Sequence, residues 1–398
     1  MSSHPIQPAS EPPPPLVPRE WHLRLDPLLL LASLGLVACS LIALNSATAN
    51  DIPGKPDYYV MRQGIYAGIG VVLMYALSRL DYSRLRELRY PVYGVLIGLL
   101  VFVLGIAQAT RGSKAWIELP GFQFQPSELG KVLLIAALGG FVVDRMRRMG
   151  RDTTARIMLL GLFPTMLVIA EPDLGSALVY VAATIAILFV AGAPWRHFVA
   201  LFTLFAVAIT LVLVVAPKVG VEVLEPYQVD RLTSFLHPAA DPGDEGYHQQ
   251  QALTALGSGE KTGRGVAGAT QTSLNFLPEH HTDFIFAAIG ETYGFAGCAL
   301  VLSLYALLIW RGLHILTVAK NLYGALIAGG ITVMLLFQLF VNIGMNVGIM
   351  PITGVTAPLL SFGGSSMLAT FMALGLLHSV HAQARETSEL KGRATVFQ

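Results

Sequence analysis

Ten long apolar runs constrain this sequence more than any other feature. They cover about residues 27–47, 59–79, 90–108, 127–144, 156–171, 174–193, 197–217, 283–310, 321–346 and 359–382. A run of roughly 17–25 apolar residues is long enough to cross a bilayer as a helix, and backbone groups in lipid must be paired within their own element. The sequence therefore predicts an all-α polytopic membrane protein with about ten transmembrane helices. Pro164 predicts a kink in the fifth and shortest run.

Composition agrees with a membrane protein. Only 13% of the 398 residues are charged and 54% are hydrophobic, whereas soluble domains carry roughly 25% charged residues. No basic patch interleaved with aromatic residues occurs outside the short loops, which argues against a nucleic-acid partner. Cys39 and Cys298 both fall inside apolar runs, which favours buried thiols over a disulfide or a zinc site.

Lysine and arginine residues orient the bundle. They concentrate in alternate loops, for example at residues 79–89 and 145–156. Because such loops stay on the cytoplasmic side, we expect both termini to be cytoplasmic. The predicted organisation is a disordered, proline-rich tail at 1–24, a ten-helix transmembrane domain at 25–384 and a cytoplasmic tail at 385–398.

The connection between the seventh and eighth runs differs from the others. Residues 218–282 lie on the outer side in this topology, and a loop of this length is usually functional or disordered. Apolar residues recur along it, so we expect a folded element with a short amphipathic helix near 245–257. The segment 257–262 (GSGEKT) superficially resembles a phosphate-binding loop, but Glu260 interrupts the required Gly-Lys pair and no strand precedes it.

Ionisable side chains inside the runs are candidates for function, because each costs about 2.5–3.5 kcal/mol to insert. They are Arg62, Glu128, Lys131, Glu171, Asp173, Asp283 and Glu291. In the predicted topology all of them lie in the outer half of the membrane, and the inner halves are almost free of acids and bases. Gln338, Asn342 and Asn346 form one polar stripe at i, i+4, i+8 spacing. A polar cavity that opens outward is the simplest explanation.

Lys131 requires a carboxylate partner, because an unpaired ammonium is costly at that depth. Asp173, at the outer turn between the fifth and sixth runs, is the first choice and Glu128 is the second. Ser127 is suited to cap this helix, with Pro126 as the entry residue. The pair could be purely structural, or Lys131 could contact substrate directly.

Asp283 begins the eighth run, where aspartate is well suited to cap a helix N-terminus. Glu291, eight residues later, lies near the same helical face and is a candidate buried hydrogen-bonding partner. His280 and His281 are adjacent, and their side chains would diverge in an extended chain. No metal site is therefore predicted there.

Five segments together resemble one bacterial family. They are GSKAW (112–116), PSELGK (126–131), EPDLG (171–175), LPEHHTDFIF (277–286) and PLLSFGGSS (358–366). They are similar, in order along the chain, to the SEDS (shape, elongation, division and sporulation) proteins. The resemblance implies ten helices and a large outer loop between the seventh and eighth, in agreement with the apolar runs.

The resemblance also implies an activity. SEDS proteins are peptidoglycan glycosyltransferases of the bacterial cytoplasmic membrane that polymerise lipid II, and their essential aspartate corresponds to Asp283. A functional tryptophan corresponds to Trp116, and an intramembrane lysine and its aspartate partner correspond to Lys131 and Asp173. Residues 342–345 (NIGM) and 351–355 (PITGV) are more similar to the elongation (RodA) branch than to the division (FtsW) branch.

Further expectations concern ligands and partners. The leaving pyrophosphate needs positive charge, for which Arg111 and Arg231 are the first candidates; Lys114, Lys131 and a divalent cation (Mg²⁺ or Mn²⁺) are the alternatives. No cofactor is predicted. Apolar grooves between helices would hold prenyl chains and membrane lipid. The resemblance implies a class B penicillin-binding protein as partner, since the chain has no transpeptidase domain of its own.

The sequence departs from the family pattern at two places. Where the family often reads Gly-Tyr-Gln-x-x-Gln-Ser, residues 246–252 read GYHQQQA, and Ala269 replaces a usual glycine. Two rival functions are a lipid II flippase and a non-catalytic scaffold. A flippase should carry polar groups along both halves of its helices, which the predicted inner halves lack.

Overall fold

The computed structural model describes residues 25–49, 51–106, 115–119, 122–145, 150–211 and 245–396. Before the long loop the helices are α1 (Pro27–Ala47), α2 (Tyr58–Arg79), α3 (Ser83–Glu87), α4 (Arg89–Ile106), α5 (Pro126–Arg145), α6 (Arg151–Ala170), α7 (Leu174–Val190) and α8 (Trp195–Thr210). After it they are α9 (Glu245–Ser258), α10 (Gly265–Gly268), α11 (Thr270–Ser273), α12 (Ile285–Val318), α13 (Leu322–Asn346) and α14 (Gly364–Val396).

Each of the ten predicted runs corresponds to one long helix, which confirms the polytopic all-α architecture. Seven of these helices are long and apolar enough to cross a bilayer, and α7 and α8 are shorter apolar helices. The tenth, α14, begins at Gly364 rather than near 359, because the residues before it form a turn. It continues to Val396, so the predicted C-terminal tail begins as a helix. The predicted N-terminal tail lies outside the described residues.

Two helices form the centre of the bundle. In the apolar part of α5, 83% of the residues are buried, against 17% in α4. The other central helix, α13, packs against α5, α7 and α12, while α2 packs along α14 and α1 against α12. Val72, Phe102 and Phe163 on the peripheral helices are large, apolar and exposed, as expected for side chains that contact lipid.

The described part of the long loop is folded against α12. The helix predicted near 245–257 is confirmed as α9, which packs on α12 together with α10 and α11. Residues 218–244 of the loop lie outside the described part of the chain. A small hairpin of β1 (Ile117–Leu119) and β2 (Phe122–Phe124) pairs Ile117 with Phe124 and precedes α5.

Helix α12 is broken at Gly294, whose φ of 65° and ψ of −160° are non-helical. The turn at residues 259–264 approaches the break so closely that a Cβ on Gly294 would lie 2.2 Å from the amide nitrogen of Gly263. This turn replaces the helical hydrogen bonds lost at the break. The amide of Phe295 donates to the carbonyl of Glu260 at 2.9 Å, and Ala296 donates to Lys261 at 3.2 Å. Glycine is therefore required at 294 for both conformation and space.

One ionisable cluster lies at the end of the bundle opposite Asp283, which we call the Asp26 end. The buried carboxylate of Asp26 caps α1 through the amides of Leu28 and Leu29. It also accepts from Nε of Arg311 at 3.0 Å, and Nδ1 of His381 lies 3.8 Å from it. The expectation that this half of the bundle is almost free of acids and bases is wrong here, because α12 extends past Arg311 to Val318 and carries it inside the fold.

Candidate functional site

Asp283 is held through its main chain by two asparagines of α13. Its carbonyl oxygen accepts from Nδ2 of Asn342 at 3.1 Å and from Nδ2 of Asn346 at 3.0 Å. Both amides are fully buried. Oδ1 of Asn346 in turn accepts from the amide of Ala287 at 3.0 Å. Two residues of the polar stripe predicted on this helix, Asn342 and Asn346, therefore fix the start of α12.

The connector between α13 and α14, residues 347–363, holds the same segment from the other side. Oγ of Ser361 donates to the carbonyl of Thr282 at 2.6 Å, and the amide of Phe362 donates to the carbonyl of His281 at 2.8 Å. The Asp283 carboxylate faces this connector, since Oδ2 would lie 3.9 Å from a Cβ at Gly354. Asp283 is half-buried at this place.

Asp283 does not occupy the N-cap position of α12 that the sequence predicted for it. Helix α12 begins at Ile285 with Phe284 at the capping position, and the Phe284 side chain makes no capping hydrogen bond. The carbonyl bonds from α13 hold Asp283 in a turn, two residues before the helix starts.

Lys131 pairs with Glu128, which corrects the expectation that Asp173 is its first partner. Nζ of Lys131 lies 2.6 Å from Oε1 of Glu128, and both side chains are buried. The two residues are one turn apart on α5, where i, i+3 side chains meet. Asp173 instead caps α7 by accepting from the amide of Ser176 at 2.9 Å.

The second oxygen of Asp173 joins α7 to the start of α5. Oδ2 accepts from Nε2 of Gln125 at 2.8 Å and from Oγ of Ser127 at 3.4 Å. Ser127 therefore does not act as the cap of α5, which begins at Pro126. Next to Asp173, Gly175 packs so closely on the connector that its Cβ would lie 2.5 Å from the carbonyl oxygen of Thr353. The connector thus contacts both the Asp173 turn and the Asp283 turn.

Glu291 organises the outer element. Its buried carboxylate accepts from the amide of Gln271 at 2.8 Å, and from the amide and hydroxyl of Thr272 at 2.9 and 2.6 Å. A carboxylate placed at exposed amides in this way stabilises a helix N-terminus, here that of α11. The buried hydrogen-bonding role predicted for Glu291 thus extends to the outer loop.

The remaining predicted substrate-binding residues are placed only in part. Trp116 is half-buried and directly precedes β1. The hairpin packs on α2 and α14 through Phe122, whose ring lies 5.6 Å from that of Tyr66. Arg111 and Arg231 lie outside the described residues.

Two contributors to this region carried no strong sequence signal. The side chain of Gln125 donates to Asp173. The main-chain amide of Gln125 donates to Oγ of Ser365, which lies at the start of α14, at 2.9 Å. Ser361 links Thr282 to the connector, since it also accepts from the amide of Ala357 at 2.9 Å. Gln125 directly precedes the PSELGK segment (126–131), and Ser361 lies within the PLLSFGGSS segment (358–366). Only the three-dimensional contacts assign them a role.

Among the residues that the structure describes, one group of side chains could hold a metal ion. Asp51, His280 and His281 each offer a ligand atom, and these atoms all lie within 4.8 Å of one another. The two imidazole rings are 5.5 Å apart, so the expectation that they diverge is wrong: residues 279–284 form turns rather than an extended chain. Burial disfavours the charged form of His280, but the hydrogen bond and negative charge of Asp51 outweigh it and raise the pKa of this imidazole.

Known proteins similar to this chain agree with this architecture. A chain of a solved peptidoglycan synthase complex, described as coordinating polymerization and crosslinking, superposes with a TM-score of 0.77 at 34% identity and covers 91% of this chain and 99% of that one. Stage V sporulation protein E of Bacillus subtilis is 37% identical over 90% of this chain and 98% of its own length.

A second relative carries an enzyme's name. The peptidoglycan glycosyltransferase MrdB of Escherichia coli is 35% identical over 92% of this chain and 96% of its own length. The family model described as "Cell cycle protein" and named for FtsW, RodA and SpoVE matches residues 23–386. These matches span the whole helical domain, including the Asp283 turn and the connector, and the chain therefore belongs to the FtsW/RodA/SpoVE family.

Proposed function

We propose that this protein is a peptidoglycan glycosyltransferase that polymerises lipid II, with Asp283 as the general base. The observation that carries the proposal is the way Asp283 is held. Two buried asparagines and the connector bind the main chain of residues 281–283, and the Asp283 carboxylate faces the connector at Gly354. These main-chain bonds fix the position of the Asp283 turn, and with it the place from which the carboxylate would meet substrate.

The reaction follows from the chemistry of the substrate. The 4-hydroxyl of one lipid-linked sugar attacks the anomeric carbon of another, and undecaprenyl pyrophosphate leaves as the new C–O bond forms. The carboxylate of Asp283 accepts the hydroxyl proton, a contribution of about 10²–10⁴-fold for a well-placed base. Attack opposite the leaving group converts the α-linked donor into a β-linked product, so the reaction inverts configuration.

Positive charge at the leaving pyrophosphate is assigned to Arg111 and Arg231. Lys131 is less suited to that task, because its ammonium is buried in the ion pair with Glu128. We infer that this pair is structural: it stabilises the start of α5, which binds Asp173 through Gln125 and Ser127. Trp116, beside the hairpin, is assigned to substrate contact.

The orientation proposed for the protein places the Asp26 end in the cytoplasm of a bacterial cell and Asp283 at the outer face of the inner membrane. Arg84, Arg86 and Arg89 in and around α3 support this orientation, since basic residues stay on the cytoplasmic side. Both termini are then cytoplasmic. Lipid II would reach Asp283 from the outer leaflet.

We further propose a class B penicillin-binding protein as partner and a role in the elongation branch of the family. The first proposal follows the similarity to a chain of a synthase complex that coordinates polymerization and crosslinking. The second rests on the segments 342–345 and 351–355. They are joined in the structure, because Nδ2 of Asn342 donates to the carbonyl of Val355 at 2.8 Å.

The test is polymerisation of labelled lipid II by the purified protein in complex with its cognate transpeptidase. We compare the wild type with Asp283→Asn, which keeps the side-chain shape and removes the base. Asp57→Asn is the matched control, because Asp57 is an exposed aspartate before α2 whose side chain makes no capping hydrogen bond.

The expected result is glycan chains from the wild type and Asp57→Asn, and a loss of at least about 10²-fold in Asp283→Asn. Equal chain formation by all three proteins removes Asp283 as the base. Absence of product from a verified wild-type complex rejects the polymerase function and favours transport or scaffolding.

A further inference from the structure

We propose that Asp51, His280 and His281 bind one divalent transition-metal ion at the Asp283 end of the bundle. Two imidazoles and a carboxylate from separate parts of the chain converge there, with their ligand atoms within 4.8 Å of one another. Asp51 lies in the connection between α1 and α2, and the histidines lie in the turn before α12. Convergence across about 230 residues distinguishes this group from neighbouring polar residues on one surface loop.

His280 has the orientation of a metal ligand. Its Nδ1 lies 2.9 Å from the carbonyl oxygen of Leu277, and because a carbonyl can only accept, Nδ1 carries the hydrogen. Nε2 therefore faces Oδ2 of Asp51, at 3.1 Å. Metal-binding histidines characteristically donate one ring N–H to a carbonyl or carboxylate and present the other nitrogen to the ion.

Asp51 has unused coordination capacity. Its Oδ2 pairs with His280, while its Oδ1 is buried and has no hydrogen-bond partner among the described residues. The side chain is only 11% exposed. A buried carboxylate oxygen without a donor is unfavourable, and a cation bound between Asp51 and the imidazoles would remove that cost.

His281 completes the group and is supported by aromatic packing. Its ring lies 4.6 Å from that of Tyr59 and 6.0 Å from that of Phe362. Ligand atoms about 2.0–2.1 Å from a tetrahedral ion are separated by roughly 3.3 Å. Separations of up to 4.8 Å must therefore close by as much as about 1.5 Å when the ion binds.

The donor set indicates the class of ion. Two imidazole nitrogens and one carboxylate suit Zn²⁺, Co²⁺ or Mn²⁺, whereas Mg²⁺ and Ca²⁺ prefer all-oxygen sites. Three protein ligands leave the fourth position of a tetrahedral ion for water. Such an ion would tie the connection between α1 and α2 to the turn that carries Asp283, and would act as a brace for that turn.

The alternative for this group is an ion pair between protonated His280 and Asp51. Metal binding would replace the proton on Nε2, so the two states exclude each other. The experiment is a titration of untagged, chelator-treated protein in detergent with Zn²⁺, followed by calorimetry, and with Co²⁺, followed by its visible absorption. We compare the wild type with Asp51→Asn and His280→Gln. His248→Gln is the control, since His248 is a half-exposed histidine on α9 outside the cluster.

The expected result is one saturable Zn²⁺ site per chain and a tetrahedral Co²⁺ spectrum in the wild type and His248→Gln. Binding should weaken at least about tenfold in Asp51→Asn and His280→Gln. The measurement needs no lipid II and is independent of the polymerase assay. Absence of saturable wild-type binding, or equal binding in all four folded proteins, overturns the proposal and leaves the ion pair as the function of these residues.

Discussion

The side-chain amide of Asn342 holds Asp283 by its main chain: Nδ2 of Asn342 donates to the main-chain carbonyl of Asp283 at 3.1 Å. The same amide nitrogen donates to the carbonyl of Val355 at 2.8 Å. One side chain therefore sets the distance between the turn before α12 and the connector. The position of the proposed base depends on this amide even though the amide takes no proton from substrate.

Replacing Asn342 by aspartate should disturb that position. Asn342→Asp has nearly the same shape, but its carboxylate cannot donate to either carbonyl. Loss of donors to buried carbonyls costs about 1–3 kcal/mol, so we expect the polymerisation rate to fall roughly 5- to 150-fold. The measurement is the lipid II polymerisation rate of folded complexes.

The control for this substitution lies at the N-cap of the same helix. Asn321 caps α13 by accepting from the amide of Gly324 at 2.8 Å, and aspartate is an equally good acceptor at such a position. Asn321→Asp should therefore keep wild-type activity. An unchanged rate in Asn342→Asp would mean that the amide does not position Asp283.

The Lys131–Glu128 pair predicts a rescue experiment. Lys131→Met leaves the Glu128 carboxylate buried without its cation, which should destabilise the protein by about 3–5 kcal/mol. Adding Glu128→Gln should recover much of the lost stability, as measured by thermal unfolding in detergent. Adding Asp173→Asn instead should give no recovery. Rescue by Asp173→Asn and not by Glu128→Gln would identify Asp173 as the partner of Lys131.

The break in α12 predicts a strong position dependence for glycine substitutions. Gly294→Ala would place a Cβ 2.2 Å from the amide nitrogen of Gly263 at a φ of 65°, and we expect at least about 3 kcal/mol of destabilisation from strain and steric overlap. Gly98→Ala on α4 meets no atom within 4 Å and should be neutral or slightly stabilising. Comparable thermal unfolding of the two variants would contradict the close packing at the break.

Glu291 predicts a local change in amide exchange. Glu291→Ala removes the acceptor for the amides of Gln271 and Thr272. A loss of about 2 kcal/mol of local stability corresponds to roughly 30-fold faster hydrogen exchange at these two amides. Glu118→Ala, an exposed acid on β1, should leave their exchange unchanged. Unaltered protection in Glu291→Ala would show that other contacts hold α11.

The helices could be predicted because their signal is local. Apolar length alone located every long helix, and the amphipathic pattern located α9. The prediction for the partner of Lys131 was wrong because the need for a carboxylate at that depth did not discriminate between Asp173 and Glu128, which lies one turn away on the same helix. Asp173 is instead used for capping α7, a role that its position before Leu174 also permitted.

The contacts that position Asp283 could not be predicted from local pattern. Its carbonyl partner Asn342 is 59 residues away, and the turn that closes the helix break lies some 30 residues upstream of Gly294. Helix capping preferences predicted that Asp283 would begin α12, but they do not account for long-range donors that hold its backbone. For the same reason Asp51 and His280, 229 residues apart, were not expected to meet.

The break at Gly294 also has a consequence for biosynthesis. The amides of Phe295 and Ala296 find their acceptors in residues 260 and 261, which leave the ribosome before the helix that needs them. The acceptors are therefore synthesised first and can wait at the membrane surface while α12 inserts. In a chain permuted so that this turn followed α12, the same two amides would enter the bilayer without acceptors, at a cost of several kcal/mol for each. The order in which the two segments are synthesised therefore provides acceptors for the amides at the break before α12 inserts.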